Sequence, residues 1–211
     1  MSTVLGTSPG QWLRTLAPVL SLAAAVLFFY AIPPHPPLTL FDLRLVAVHA
    51  MIVGTAAIGM TLVIISAGID LSVGSAIALV SVAAALVLEN GGGIGAALLV
   101  ALSTGALCGF YNGLLVTSLR LPPFIATLGT LGFYRGVAKW ISGSIPVTAP
   151  THGLDLWVNP IPNPQWLFVA PGVWLMLGLA VVFILLLRYS VLGQHALAIG
   201  SNEATARLCG I

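Results

Sequence analysis

The chain has 211 residues, 59% of them hydrophobic and 6% charged, with a formal net charge of +2. Its mean hydropathy is +1.10. A water-soluble domain of this length cannot hide so much apolar side chain, because its surface is large relative to its core, so the solvent for most of the chain is lipid. So small a net charge, with no basic cluster, does not imply nucleic acid, and no nucleic-acid partner is expected. Cys108 and Cys209 fit no metal or redox spacing. They read as a helix packing residue and a reduced cytosolic thiol.

A membrane-crossing helix needs about 20 mostly apolar residues. Six windows meet or approach this: residues 15–32, 45–67, 71–88, 94–119, 121–141 and 166–187. The predicted fold class is therefore all-α, a polytopic transmembrane bundle of about six spans forming a single domain over 1–211. The first window is expected to remain as a span. Its apolar run is long, and "FYAIPPHPP" lacks a small-residue cleavage site.

Residues 142–165, "SGSIPVTAPTHGLDLWVNPIPNPQ", hold five prolines. Each removes a backbone donor, so the segment cannot span hydrocarbon, where every donor and acceptor must be paired internally. It is read as a structured external loop. With both ends inside, six spans alternate cleanly. Arg14, Arg120, Arg188 and Arg207 then face the cytoplasm, while Arg44 and Lys139 face out, with Arg135 snorkelling toward the outer side. Trp12, Tyr30, Trp140, Trp166 and Tyr189 fall near span ends, as interfacial aromatics do.

Gly105, Gly109 and Gly113 form two GxxxG steps in register, and Gly132 and Gly136 repeat the spacing in the next window. Glycines four apart line one helix face and let a second backbone approach, so all five are candidate helix-packing residues. Among polar groups in the spans, His49, Tyr111 and Asn112 stand out. An intramembrane polar group is a functional candidate by default. The simpler reading for each is an interhelical hydrogen bond.

Residues 67–75, "AGIDLSVGS", place an aspartate between two long apolar runs. In the alternating topology they form a short inner turn. Gly68 and Gly74 permit backbone shapes barred to other residues. Asp70 or Ser72 is a natural N-cap for the helix that follows, and a negative charge suits its positive end. A capped break between helices near a translocation path is a transporter feature.

The stretch "GMTLVIISAGIDLSVGS" (59–75) closely resembles the signature of the monosaccharide-type permeases of bacterial ABC importers, the ribose/xylose/galactofuranose class. Residues 112–147, "NGLLVTSLRLPPFIATLGTLGFYRGVAKWISGSIPV", resemble the next family segment. Residues 192–211, "LGQHALAIGSNEATARLCGI", resemble its cytoplasmic segment. Ala67, Thr205 and Cys209 replace the commoner Gly, Ala and Ser of that pattern.

The resemblance implies a subunit that pairs with a second permease copy in the inner membrane. It would bind ATPase subunits inside and receive solute from a periplasmic sugar-binding protein outside. Gly68, Asp70, Ser72, Gly74, Asn112, Phe124 and Thr127 are the candidate pathway and helix-junction residues. The 192–211 segment would be a cytoplasmic loop carrying the start of a coupling helix. In it Asn202, Glu203, Ala204, Arg207 and Leu208 are the candidate ATPase-coupling residues. The residues are compatible with that role: Ser201 or Asn202 can cap a helix, Glu203 and Arg207 are i,i+4 in the favourable order, and Ala204, Leu208 and Ile211 form an apolar stripe. Family members have about ten spans. With six here, the chain is expected to be a C-terminally truncated member.

No G-x-x-x-x-G-K-[ST] occurs, so ATP is expected on a partner subunit, with no cofactor bound by this chain. Motifs for zinc proteases or nucleophile elbows are also missing, and no enzyme activity, catalytic residue or metal site is expected. Two other classes remain open from the residues: an ion-coupled secondary transporter or channel, and a membrane scaffold without transport. The first would need an ionised group at a span centre. The solute itself is not legible.

Overall fold

The computed structural model describes residues 9–31 and 39–211, with side chains from residue 16 onward. The readings made for Trp12 and Arg14 lie outside the described side chains. Within these limits the chain is all helical: α1 Pro9–Tyr30, α2 Leu40–Ile65, α3 Val73–Glu89, α4 Ile94–Thr117, α5 Pro123–Ile141, α6 Pro171–Tyr189, α7 Val191–Ser201 and α8 Glu203–Leu208. Two short 3₁₀ turns, Leu154–Trp157 and Gln165–Leu167, lie between α5 and α6. The described residues up to Leu40 form one compact unit, containing α1, and residues 41–211 a second.

Helices α1 to α6 coincide with the six apolar windows. Three of them, α2, α4 and α6, are long and apolar enough to cross a membrane by length and composition. At about 1.5 Å per residue, the 26 residues of α2 reach roughly 39 Å. The described apolar part of α1 and all of α3 are shorter, and the 19 residues of α5 include Arg135 and Lys139. Only 11% of the most apolar stretch of each long helix is buried. Leu99, Leu102 and Phe110 on α4 stand open, a surface suited to lipid or further helices rather than water.

Local signals bound several of the helices. Pro123 and Pro171 sit at the starts of α5 and α6, where a missing N–H costs nothing. Helix α2 stops where Ala67 turns left-handed (φ 59°). The N–H of Gly68 then donates to the Val63 carbonyl at 2.8 Å and that of Ala67 to Ile64 at 3.0 Å, closing the last turn.

Two separate apolar clusters hold the second unit. Val48 and Met51 of α2 pack on Ala170 and Val173 at the start of α6. Leu79 of α3, Cys108 of α4 and Tyr134 and Ala138 of α5 form the other. The 142–165 segment is ordered onto the first of these ends. Pro162 within it is fully buried. Just beyond it, the Arg44 guanidinium donates to the Phe168 carbonyl at 2.6 Å and the Trp174 indole to that of Leu167 at 3.0 Å. Arg44, expected simply to face outer water, is thus tied to this connection.

The glycine spacing found in the sequence is not where helices approach most closely. A Cβ on Gly105 would sit 3.7 Å from Val80 of α3, an ordinary contact, and one on Gly109, Gly113, Gly132 or Gly136 would meet nothing within 4 Å. The close approaches fall at glycines without that spacing. At Gly172 a Cβ would collide with Met51 and stand 2.8 Å from the Trp157 carbonyl oxygen; at Gly54 it would be 2.6 Å from Met176 Sδ. The residues that face across a gap, rather than any repeat, decide which glycine is required.

Candidate site at the α2–α3 junction

Residues 66–72 carry the chain from α2 to α3, and the ends of several helices gather around them. Gly68 is held close under the end of α2: a Cβ there would lie 3.0 Å from Val63 Cγ1 and 3.1 Å from its carbonyl oxygen. Gly74 has open space around it.

Asp70 and Ser72 do not cap α3 as expected. Ser72 occupies the N-cap position, but its side chain bonds no amide of the first turn. Asp70 Oδ1 instead accepts from both the N–H and the hydroxyl of Ser72, at 2.7 and 2.6 Å. This local turn uses the carboxylate one step earlier than a cap would. The Ser72 carbonyl accepts from the Ala76 N–H and the Ser75 hydroxyl. Ser72 is 1% exposed, so its hydroxyl needs partners on both sides.

Helix α4 supplies the second partner. Asn112 Nδ2 donates to Ser72 Oγ at 2.8 Å, and Asn112 Oδ1 accepts from the Tyr134 hydroxyl of α5 at 3.0 Å. That hydroxyl also lies 2.8 Å from the Cys108 carbonyl oxygen. Helix α5 adds Thr127, which is 3% exposed. Its Oγ1 accepts from the Leu71 N–H at 3.2 Å and lies 2.8 Å from the Pro123 carbonyl and 3.1 Å from that of Ile69. One hydroxyl proton serves those two carbonyls, and the shorter distance is to Pro123.

A cavity of about 780 Å³ opens at this junction. Gly68, Asp70, Asn112 and Thr127 line it, together with Ser66, Thr117, Arg120 and apolar walls from Leu62, Val63, Val116 and Ile199. Of the seven candidate pathway residues, these four reach the cavity. Ser72 is buried behind it, and Gly74 and Phe124 do not line it. Phe124 is instead about half exposed. Gly109 and Gly113, read as packing residues, also line it, which explains the open space above them.

The coupling candidates lie beside the same cavity. The 192–211 segment, read as a loop leading to a helix, holds two helices, α7 and α8. Asn202 caps α8 by accepting from the Thr205 N–H at 3.0 Å, and Arg207 donates to Glu203 at 2.6 Å. Glu203 and Arg207 line the cavity. Ala204 and Leu208 face outward and are exposed, while Ala206, outside the expected stripe, is the buried residue of α8.

Tyr134, which no motif singles out, belongs to the hydrogen-bond network behind the cavity. Its signal was its place between Thr130 and Ala138, one turn from each on the same face. His49 differs from expectation in the other direction: its Nδ1 lies 2.8 Å from the Leu45 carbonyl of its own helix. Tyr111 makes a tilted ring contact with Phe133, centroids 6.0 Å apart. Only Asn112 of the three makes the interhelical bond.

Comparison with known proteins matches residues 43–211 to the family described as "branched-chain amino acid transport system / permease component". The chain is 36% identical over 202 residues to the autoinducer 2 import system permease protein LsrC of Enterobacter sp. (strain 638), covering 90% of this chain and 54% of that protein. It is 38% identical over 162 residues to the protein of the same name in Yersinia pestis (strain Pestoides F), covering 77% of this chain and 45% of that one. The chain thus spans about half the length of the curated relatives it matches. No solved structure matches. With an all-helical apolar bundle, a polar break between α2 and α3, and a family match over most of its length, the chain belongs to this permease-component family.

Proposed function

We propose that this chain is part of the membrane-spanning permease subunit of an ATP-driven importer that carries a monosaccharide, or a similar small polar solute, across the bacterial inner membrane. One observation carries the reading: the exposed α8 and the polar α2–α3 junction border one cavity, since Glu203 and Arg207 line it together with Asp70 and Asn112. A site for solute and a site for a force-delivering partner are thereby adjacent.

The lining supports a neutral, hydrogen-bonding solute. Its charged groups are two carboxylates, Asp70 and Glu203, and two guanidiniums, Arg120 and Arg207, whose formal charges cancel. Ser66, Asn112 and Thr127 add neutral donors and acceptors. Among the described residues no aromatic ring lines it, so these residues would hold a sugar by hydrogen bonds. The relatives named for autoinducer 2 import support a small polar solute of this kind.

In this reading the faces bearing Arg120 and Arg207 are cytoplasmic, and the 142–165 connection faces the periplasm. The exposed Ala204 and Leu208 of α8 dock on an ATPase subunit, which binds the ATP. A periplasmic sugar-binding protein delivers the solute, and a second permease copy completes the path.

Co-purification tests the reading. Arg207→Glu combined with Leu208→Asp is expected to abolish recovery of the cognate ATPase with the permease; undiminished recovery would discard the coupling role of α8. Uptake that survives ATP depletion and collapses with the proton gradient would replace the reading by an ion-coupled transporter.

A further inference from the structure

Two core clusters of the second unit share no residue, and the cavity opens where the chain leaves α2 for α3. One joins α2 to the start of α6 through Val48, Met51, Ala170 and Val173. The other joins α3, α4 and α5 through Leu79, Cys108, Tyr134 and Ala138. The chain crosses between them through residues 66–72, and that crossing is held from two sides by different means.

Toward α4 and α5 it is held by side chains: Asn112 on Ser72 at 2.8 Å and Thr127 on the Leu71 N–H at 3.2 Å. Toward α7 the approach is backbone to backbone. A Cβ on Gly200 would overlap the Ile65 carbonyl oxygen, lie 2.9 Å from the carbonyl carbon and stand 3.3 Å from Ser66 Cα. Only glycine permits this approach.

Its position gives the contact mechanical meaning. Ile65 is the last residue of α2, two before the left-handed Ala67 (φ 59°). Gly200 is in the last turn of α7, two residues before the Asn202 that caps α8. Packed side chains can absorb displacement by changing rotamer, whereas two backbones in direct contact have no such soft element.

We infer that Gly200 is the positioning residue through which movement of α7 and α8 reaches the α2–α3 junction and so alters the cavity. This rests on the permease reading, and it names where force from the partner enters the solute site.

The test uses the full-length importer with its ATPase and binding protein in liposomes. Wild type, Gly200→Ala and Gly178→Ala are compared; Gly178, on α6, has nothing within 4 Å of a would-be Cβ and serves as control. Two quantities are read. The first is radiolabelled D-ribose, D-xylose or autoinducer 2 moved per ATP hydrolysed. The second is the distance between spin labels on the exposed Cys209 and on Ser81→Cys of α3, with the buried Cys108 replaced by alanine.

Gly178→Ala is expected to match wild type in both. Gly200→Ala is expected to retain the bound ATPase and its hydrolysis, to shift the label distance, and to lower solute moved per ATP by about tenfold or more, within the range of inter-site couplings. Ser201→Gly softens the turn between Gly200 and Asn202 without adding an atom. It is expected to lower the same ratio, and so decides the matter if Gly200→Ala fails to accumulate.

A label distance unchanged in Gly200→Ala overturns the inference, as does a shifted distance with wild-type coupling. A wild-type importer that hydrolyses ATP yet moves none of the three solutes brings down the solute assignment instead, and the label distance still reports on the Gly200 contact.

Discussion

Asn112 donates its side-chain amide to the hydroxyl of Ser72, 40 positions earlier, at 2.8 Å. Through its other atom, the carbonyl oxygen, it accepts the Tyr134 hydroxyl, so a single side chain ties α3, α4 and α5 together. In lipid, where apolar contact alone gives helices little reason to associate, such a bond contributes directly to the bundle. Replacing Asn112 by leucine leaves Ser72 bonded to Asp70 and Tyr134 beside the Cys108 carbonyl. The expected loss is therefore only about 1 kcal/mol, read from unfolding in mixed micelles. No loss at all would show that the three helices are held without the bridge.

Thr127 should be more sensitive than its size suggests. Valine has the same shape but leaves the part-buried Leu71 N–H without its acceptor, which costs about 1 kcal/mol, the low end for an unpaired donor. Hydrogen exchange at Leu71 is expected to quicken in Thr127→Val and to stay slow in Thr127→Ser. Equal exchange in the two variants would remove Thr127 from the junction's support.

Ala67 holds φ at 59°, a conformation that costs a residue with a Cβ roughly 1–2 kcal/mol. Relief of that cost exceeds the extra chain entropy that glycine loses on folding. Ala67→Gly is accordingly expected to stabilise the chain by several tenths of a kcal/mol or more, seen as a higher midpoint in the same unfolding assay. A lowered midpoint would mean the methyl group has a packing role that outweighs the strain.

The glycines separate into two kinds, and substitution should distinguish them. Gly172→Val would push into Met51 and the Trp157 carbonyl, an overpacking that typically costs about 1–3 kcal/mol. Gly136→Ala meets open space and gains helix propensity, so the isolated chain should be stabilised by about 0.5–1 kcal/mol. The opposite order in measured stability would contradict the packing described above.

The ion pair of α8 is exposed, with side chains 69% and 62% accessible. Exposed pairs of this spacing are worth about 0.3–0.5 kcal/mol, so Glu203→Ala should leave folding stability nearly unchanged. Any large effect of this change on transport would then come from the cavity lining or the coupling face rather than from the fold.

Much of this protein is written in its composition and in short patterns. Six apolar windows became six helices because a chain in lipid must pair its backbone internally, and helices do so without distant partners. Prolines set the starts of α5 and α6, and the "AGIDLSVGS" break marked the junction, since both act on their own backbone. Asn202 as a cap and the Glu203–Arg207 pair were legible for the same reason: each involves residues within four positions of one another. What tertiary structure decided was every relation across the chain. Ser72 turned from a cap into a buried link because Asn112 arrives from α4. Tyr134 joined the site because α5 packs on α4. Glycines at close approaches between distant segments, such as Gly54, Gly172 and Gly200, carry no spacing signal, because what makes a glycine necessary is the atom opposite it, and local pattern holds no record of that atom.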